Sequence, residues 1–492
     1  MTASLLAAFV AAYFLLLLAV AWRTSRGADN ESFFIGNRSS HWGLVAFGMI
    51  GTSLSGVTFI SVPGAVGATS WHYLQIVLGH LIGYAVIAFV LLPLYYRLAL
   101  TSIYRFLADR LGPSSYRTGA GFFILSRTLG ATARLYIVVR ILQDTILAQL
   151  GMPFWLTAAI ILLMIVLYTF QGGVKTIVWT DTLQTAGMLI GLVACTVYLL
   201  HLLGLSPLQA WQQMRQQGLA TVFDTAVDGK SFWLKQIVAG AFIAIAMTGM
   251  DQEMMQKNIS VRTLRGAQKN MLTMAAIMLG VVTLFLLLGG LLHLFQARTG
   301  LAARGDALFP AVVMNHLPVA LQVVFVLALI SALFPSADGA LTALTSSFCI
   351  DLLGMQQRQD WDEAGRRRIR QTVHLGFAAL FLALVMGFRA LDDPSMIGLI
   401  LKIAAYTYGP LLGLFAFGIL TRRPVRDAVV PWVALASPLL CGLLDATQAH
   451  WLGGYQIGLE MLLLNGALTF AGLWALSSPP APSAQTASSV VR

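Results

Sequence analysis

Charge is what this chain has least of. Only 10% of its 492 residues are Asp, Glu, Lys or Arg, against 58% hydrophobic; a soluble domain carries about 25% charge. So few charges cannot hydrate the surface of a chain this long, which excludes a water-soluble globular protein and makes lipid the solvent for most of the exterior. Cysteine is nearly absent as well. Cys195, Cys349 and Cys441 sit in apolar stretches without CxxC or Cys/His spacing, so neither a disulfide framework nor a zinc site is expected. The eight histidines form no HExxH pattern and no Ser/His/Asp constellation, and no enzyme is expected; His72 and His80 read as packing or interface residues. No segment alternates polar and apolar residues at barrel length, so helices must satisfy the backbone.

What is present is a series of apolar runs, each long enough to cross about 30 Å of hydrocarbon. They lie near 3–22, 42–62, 71–96, 119–150, 154–171, 179–205, 231–254, 268–297, 319–351, 372–391, 396–420, 428–446 and 454–477. The reading is an all-α polytopic membrane protein of about thirteen spans. The first run is followed, not preceded, by Arg23 and Arg26, so it reads as a retained helix and not a cleaved leader.

The net charge of +11 does not point to nucleic acid, because the basic residues fall in short loops between apolar runs. With the N-terminus outside, 21 of the 31 Lys and Arg fall in alternate loops and the tail on the cytoplasmic side, among them Lys257, and six fall outside. That bias predicts an outside N-terminus and a cytoplasmic C-terminus in a bacterial inner membrane. Residues 206–230 read as a polar external loop. Residues 478–492, rich in Pro, Ala and Ser, read as a disordered tail. The partners expected are a small-molecule solute and the bilayer, with no protein partner required.

Polar groups inside apolar spans are candidates for function. The second run carries Gly51, Thr52, Ser53, Ser55, Gly56 and Thr58 at its middle. Gly weakens a helix, and Ser and Thr compete for its backbone bonds. A break there would free carbonyls such as those of Gly51 and Leu54 to hold a cation, as broken transporter helices do; the alternative is a small-residue packing face. The seventh run is interrupted at Gly249 and Asp251, and two interrupted spans in corresponding halves are a pointer to a transport site. Asp251 either belongs to that site or caps a helix end. Gly172-Gly173 permits a tight turn, and Asp181 follows it in apolar surroundings, where a carboxylate must be paired, protonated or bound to a cation. In the ninth run, Ala332 and Ser336 are one turn apart, Pro335 removes an N–H donor, and Asp338 is a further acid. Arg127 and Arg134, seven apart, share one face of the fourth run; each can meet an anionic solute or an internal acid. Lys402 lies inside the eleventh run, where an ion pair with Asp181 or Asp338, neutralisation of a vacant ion site, or snorkelling to an interface are open.

Together these residues resemble the sodium/solute symporter family, whose members carry sugars, proline, iodide, sialic acid and vitamins. The resemblance runs from about 31 to about 421. It rests on Ser32-Phe-Phe-Ile-Gly-Asn-Arg38, Gly51–Thr58 with Val62-Pro-Gly64, Gly172-Gly173 through Trp179-Thr-Asp-Thr-Leu-Gln184, and Asp338 to Asp351. It implies the leucine-transporter fold: inverted five-helix repeats at about 42–205 and 231–420, an extra N-terminal helix and loop over 1–41, and two C-terminal helices over 421–477. It implies a sodium ion held by Gly51, Leu54, Ala332, Pro335 and Ser336. Members usually carry a hydroxyl at the place of Pro335. Some have a second sodium site, matching Asp181, Asp338 and Gly339 here, with a hydroxyl at the place of Asp338. Solute contacts are implied at Ser53, Ser55, Thr58, Gln75 and Arg127. The activity implied is sodium-coupled symport of a small organic or anionic solute into the cell by alternating access; the alternative is a proton-coupled carrier using Asp338 and Asp181.

Overall fold

The computed structural model describes residues 3–26, 33–34, 36–148, 151–358, 360–391, 396–451 and 455–479. The expected tail at 478–492 falls almost wholly outside them, as does part of the Ser32–Arg38 motif. Among the described residues the protein is all helix, without a β-strand. Eight helices are long and apolar enough to span a bilayer, two more spans are bent helix pairs, and three apolar helices are shorter. Together these fall on the thirteen expected apolar runs, ten of them at spanning length.

In chain order the elements used below are α1 (Ala3–Thr24), α2 (Trp42–Ser53), α3 (Gly56–Thr69), α4 (Tyr73–Arg97), α5 (Pro113–Leu142), α6 (Phe154–Phe170), α7 (Gly173–Leu203), α8 (Trp233–Gly249), α9 (Gln252–Ile259), α10 (Leu264–Thr299), α11 (Val319–Leu352), α12 (Glu363–Leu391), α13 (Met396–Leu420), α14 (Val430–Trp451) and α15 (Met461–Ala475). The expected Gly-Gly turn separates α6 from α7: Gly173 has φ of +51°, where a side chain would be strained, and a Cβ there would run into Phe33.

At the centre stands α11. Every residue from Ala328 to Ser347 is buried. It packs most extensively on α6 and α7, where Gly191 and Gly187 lie against Ala328 and Ser331. Small residues let two backbones approach closely where lipid supplies no hydrophobic drive between helices. α12 and α14 lie at the periphery and leave Leu375, Leu380, Trp432, Leu439 and Leu443 exposed, as lipid-facing surfaces must be.

The two interrupted spans are broken as the glycines and hydroxyls suggest. α2 and α3 meet at 56°, α8 and α9 at 66°. Leu54, between α2 and α3, has φ −95° and ψ 78°; Ser55 is extended. At the other break Met250 leaves the helix and Asp251 starts α9, its carboxylate accepting a hydrogen bond from Met254 N–H at 3.1 Å.

Candidate functional site: two broken helices around one cavity

A broken helix exposes backbone groups that a continuous one satisfies, and buried groups of that kind need partners. The two breaks answer this need differently. At the α8–α9 break, the Tyr95 hydroxyl donates to the Gly249 carbonyl at 2.7 Å and the Tyr104 hydroxyl to the Met250 carbonyl at 3.0 Å. At the α2–α3 break, Leu54 N–H bonds Ile50 O and Phe59 N–H bonds Ser55 O. Among the described residues no hydrogen bond reaches the carbonyls of Gly51 or Leu54. Both flanks of this break press on α11. A Cβ on Gly51 would lie 3.4 Å from Pro335 Cγ, and one on Gly56 would lie 3.8 Å from the Leu333 backbone. One turn along, the Ser336 hydroxyl donates to Leu333 O at 2.9 Å, which leaves its lone pairs free to accept. Of the expected sodium residues, Gly51 thus lies beside Pro335, with Ser336 next to it on α11. Pro335 adds no side-chain oxygen; its ring fills the space beside Gly51.

Beside the breaks lies a cavity lined by Ser53, Ser55 and Thr58, by Tyr73, His80 and Tyr84 from α4, by Arg127 and Arg134 from α5, and by Met247 and Thr248 from α8. Four of the expected solute residues, Ser53, Ser55, Thr58 and Arg127, line it. Gln75 does not: its amide is turned to the His72 and Ser231 carbonyls at 3.2 and 3.4 Å. His80, read as packing, lines the cavity, and both its ring nitrogens are buried without a hydrogen-bond partner, as is the Ser53 hydroxyl.

The two arginines differ. Arg127 is engaged inside the protein, hydrogen-bonded through its guanidinium to Glu253 and 3.8 Å from Asp251. Asp251 also accepts from the Tyr408 hydroxyl at 2.6 Å, so it both caps α9 and belongs to the buried network. Arg134, half-buried on the same helix, has no ion pair and no hydrogen bond among the described residues. It is the cavity's uncommitted cation.

Lys402 requires a correction. It pairs with neither Asp181 nor Asp338 but with Asp445 on α14 at 2.9 Å, its side chain 63% exposed. The lysine that does meet Asp181 is Lys257, which the loop-charge reading places in a cytoplasmic loop. Its ammonium is 2.7 Å from Asp181 Oδ2, 2.7 Å from Thr52 Oγ1 and 3.6 Å from Glu253 Oε1. All eight residues of α9 are buried, so a segment too polar to read as membrane helix is core. Glu253, near the end of the seventh run, was not singled out as a site residue, although its four-residue spacing from Lys257 was a usable signal of a pair on one helix face. Asp338 turns to α6, accepting from the Tyr168 hydroxyl at 2.6 Å.

The model of the sodium:solute symporter family matches residues 33–427. The sodium/sialic acid symporter of Aliivibrio fischeri is 21% identical over 469 residues, covering 91% of this chain and 88% of that protein. The human sodium/iodide cotransporter is 26% identical over 260 residues, covering 52% of this chain and 39% of that protein. A substrate-bound, outward-open structure of a Na+-coupled sialic acid symporter superposes with a TM-score of 0.81 at 17% identity, covering 95% of this chain and 96% of that one. At that identity the likeness is one of fold, the leucine-transporter fold expected from the sequence.

Proposed function

This chain belongs to the sodium:solute symporter family and is a sodium-coupled secondary transporter spanning a membrane many times, not an enzyme; on that premise we propose that it carries a small solute bearing an anionic group, held by Arg134, and binds its sodium at the break between α2 and α3. The observation that carries the sodium site is the pair of unbonded carbonyls, Gly51 and Leu54, at a break that packs beside α11, while the carbonyls of Gly249 and Met250 at the other break are capped by tyrosines. Gly51 O, Leu54 O, Ala332 O and Ser336 Oγ form a set of neutral oxygen donors of the kind unwound transporter helices offer to Na+. Pro335 withholds a ligand. Asp181 and Asp338 are met by Lys257 and Tyr168, so the ion is assigned to the four neutral oxygens. Membership of the family favours sodium over a proton as the coupling ion.

For the solute, the argument is electrostatic. A guanidinium lining a cavity without a counter-ion is a site for an anion, most favourably a carboxylate that takes two parallel bonds. Relatives named for sialic acid, iodide and monocarboxylates carry solutes of that kind. Ser53, Thr58 and the unpartnered His80 supply neutral polar contacts around it.

Sodium and solute meet at the same break. Leu54 gives its carbonyl to the ion while its neighbours Ser53 and Ser55 face the cavity, so ordering this turn for one ligand orders it for the other, reciprocally. Rocking of the repeat at 42–205 against that at 231–420 then exposes the site to the opposite side. Following the Lys/Arg bias, the chain sits in a bacterial inner membrane with its N-terminus outside. Inward sodium movement then gains about 2.3 kcal/mol per 100 mV of potential. The test is uptake into proteoliposomes under an imposed sodium gradient, across carboxylic acids and their amides. Sodium-driven uptake of the acids alone is expected. Uptake that ignores sodium, or prefers the amides, overturns the reading.

A further inference from the structure

Lys257 lies at the junction of three elements: α9, which carries it, α2, which supplies Thr52, and α7, which supplies Asp181. Its ammonium is surrounded by the oxygens of a carboxylate and a hydroxyl at 2.7 Å and of a second carboxylate at 3.6 Å. The side chains of Lys257, Asp181 and Glu253 are all 1–3% exposed. An alkali cation needs the same things: one positive charge's worth of counter-charge, hard oxygen donors from several elements, and no competing water. The surroundings also hold unused oxygen capacity. Asp181 Oδ1, Glu253 Oε1 and Thr185 Oγ1 are buried with no hydrogen-bond partner. Room for the ammonium comes from Gly339 of α11: a Cβ there would stand 3.0 Å from Lys257 Nζ and collide with Glu253 Oε1.

We propose that the Lys257 ammonium is a cation built into the chain, seated where oxygens of α2, α7 and α9 would otherwise hold a second diffusible monovalent cation, so that each cycle couples to one sodium ion only. The count of one rests on the sodium site assigned above; the tethered cation itself does not. A covalently attached charge cannot be left behind on either side of the membrane, so it contributes no ion gradient to the work done. In this conformation it holds α9 to α2 and α7 without a sodium ion.

The experiment is the sodium dependence of thermal stability in purified protein, with potassium as the control salt, for wild type, Ser336→Ala, Lys257→Ala and the double variant. Ser336→Ala is expected to lose most of the sodium-dependent rise in Tm. Lys257→Ala in that background is expected to restore one, and methylammonium is expected to compete with it by refilling the vacated place. In proteoliposomes the wild type should show hyperbolic sodium dependence and Lys257→Ala a sigmoidal one. Should Lys257→Ala not fold, the doubly neutral Lys257→Ala/Asp181→Asn variant is expected to fold and to show no added sodium effect, and methylammonium is expected to rescue the single variant. A sodium response unchanged by Lys257→Ala, no rescue by methylammonium, or sigmoidal sodium dependence in the wild type overturns the proposal. If instead Ser336→Ala leaves the sodium response intact, the sodium assignment at the α2–α3 break fails, and the Lys257 comparison still reads independently.

Discussion

Replacing Arg134 with Gln should separate the solute's cation from the fold's cation. Arg134 has no counter-ion among the described residues, so removing its charge leaves none of their acids stranded and should cost little stability. It should cost affinity. Truncating one member of a hydrogen-bonded charge pair costs about 2–5 kcal/mol, and for a half-buried group the lower end applies, about 2 kcal/mol. At about 1.4 kcal/mol per tenfold, KM for a carboxylate solute should rise ~30-fold, while its uncharged amide should be carried no worse than by the wild type. Arg127→Gln, seven residues away on the same helix, should do the opposite. Its partner Glu253 is 1% exposed and would keep only Lys257, at 3.6 Å; breaking a buried pair costs about 3–5 kcal/mol, so the loss should appear first as a lower unfolding midpoint and poor yield. The assay is initial-rate uptake in proteoliposomes with Tm measured on the same preparations. An Arg134→Gln protein with unchanged KM for every acid, or an Arg127→Gln protein of normal Tm that no longer binds solute, would falsify the division of labour.

Three further outcomes are expected. Ser336→Ala removes one of four oxygens from the sodium ion; a hydrogen-bond-strength contact to a charge is worth about 1.5–3 kcal/mol, so the half-saturating sodium concentration should rise ~10–150-fold, read from uptake at fixed solute. Tyr95→Phe strands the Gly249 carbonyl, which its hydroxyl meets at 2.7 Å, and should lower stability by about 1–3 kcal/mol in denaturant titrations, without changing sodium dependence. Lys402→Met breaks a pair that is 63% exposed on its lysine side; such pairs contribute about 0–1 kcal/mol, so uptake should stay at the wild-type rate, and a loss of sodium coupling would return Lys402 to the site.

Much of the architecture was legible because lipid imposes simple rules. Backbone groups in hydrocarbon must be satisfied within the segment, so apolar length alone marks candidate spans, and each of the thirteen runs became an apolar helix or bent pair, ten of them long enough to span. The same rule made the breaks legible: Gly51, Gly56 and Gly249 interrupt stretches that had every other reason to stay helical. Hydroxyls at one break placed Ser53, Ser55 and Thr58 beside the cavity they line.

What the sequence could not decide was which charge meets which. Hydropathy assigns a polar segment to water, and Gln252–Ile259 is polar; only the packing of α9 against α2 and α11 shows that Glu253 and Lys257 are core. Arg127 and Arg134 occupy one helix face and cannot be told apart by spacing, yet two turns of offset along α5 give one of them two acids and leave the other bare. Lys402 looks buried in a list of apolar neighbours, but its helix presents it outward to Asp445. Composition and periodicity report each residue's preference for lipid or water, a one-body property, and that determined the spans and the breaks. Ion pairing is a two-body property between elements far apart in the chain, and only the tertiary structure brings the two bodies to one place.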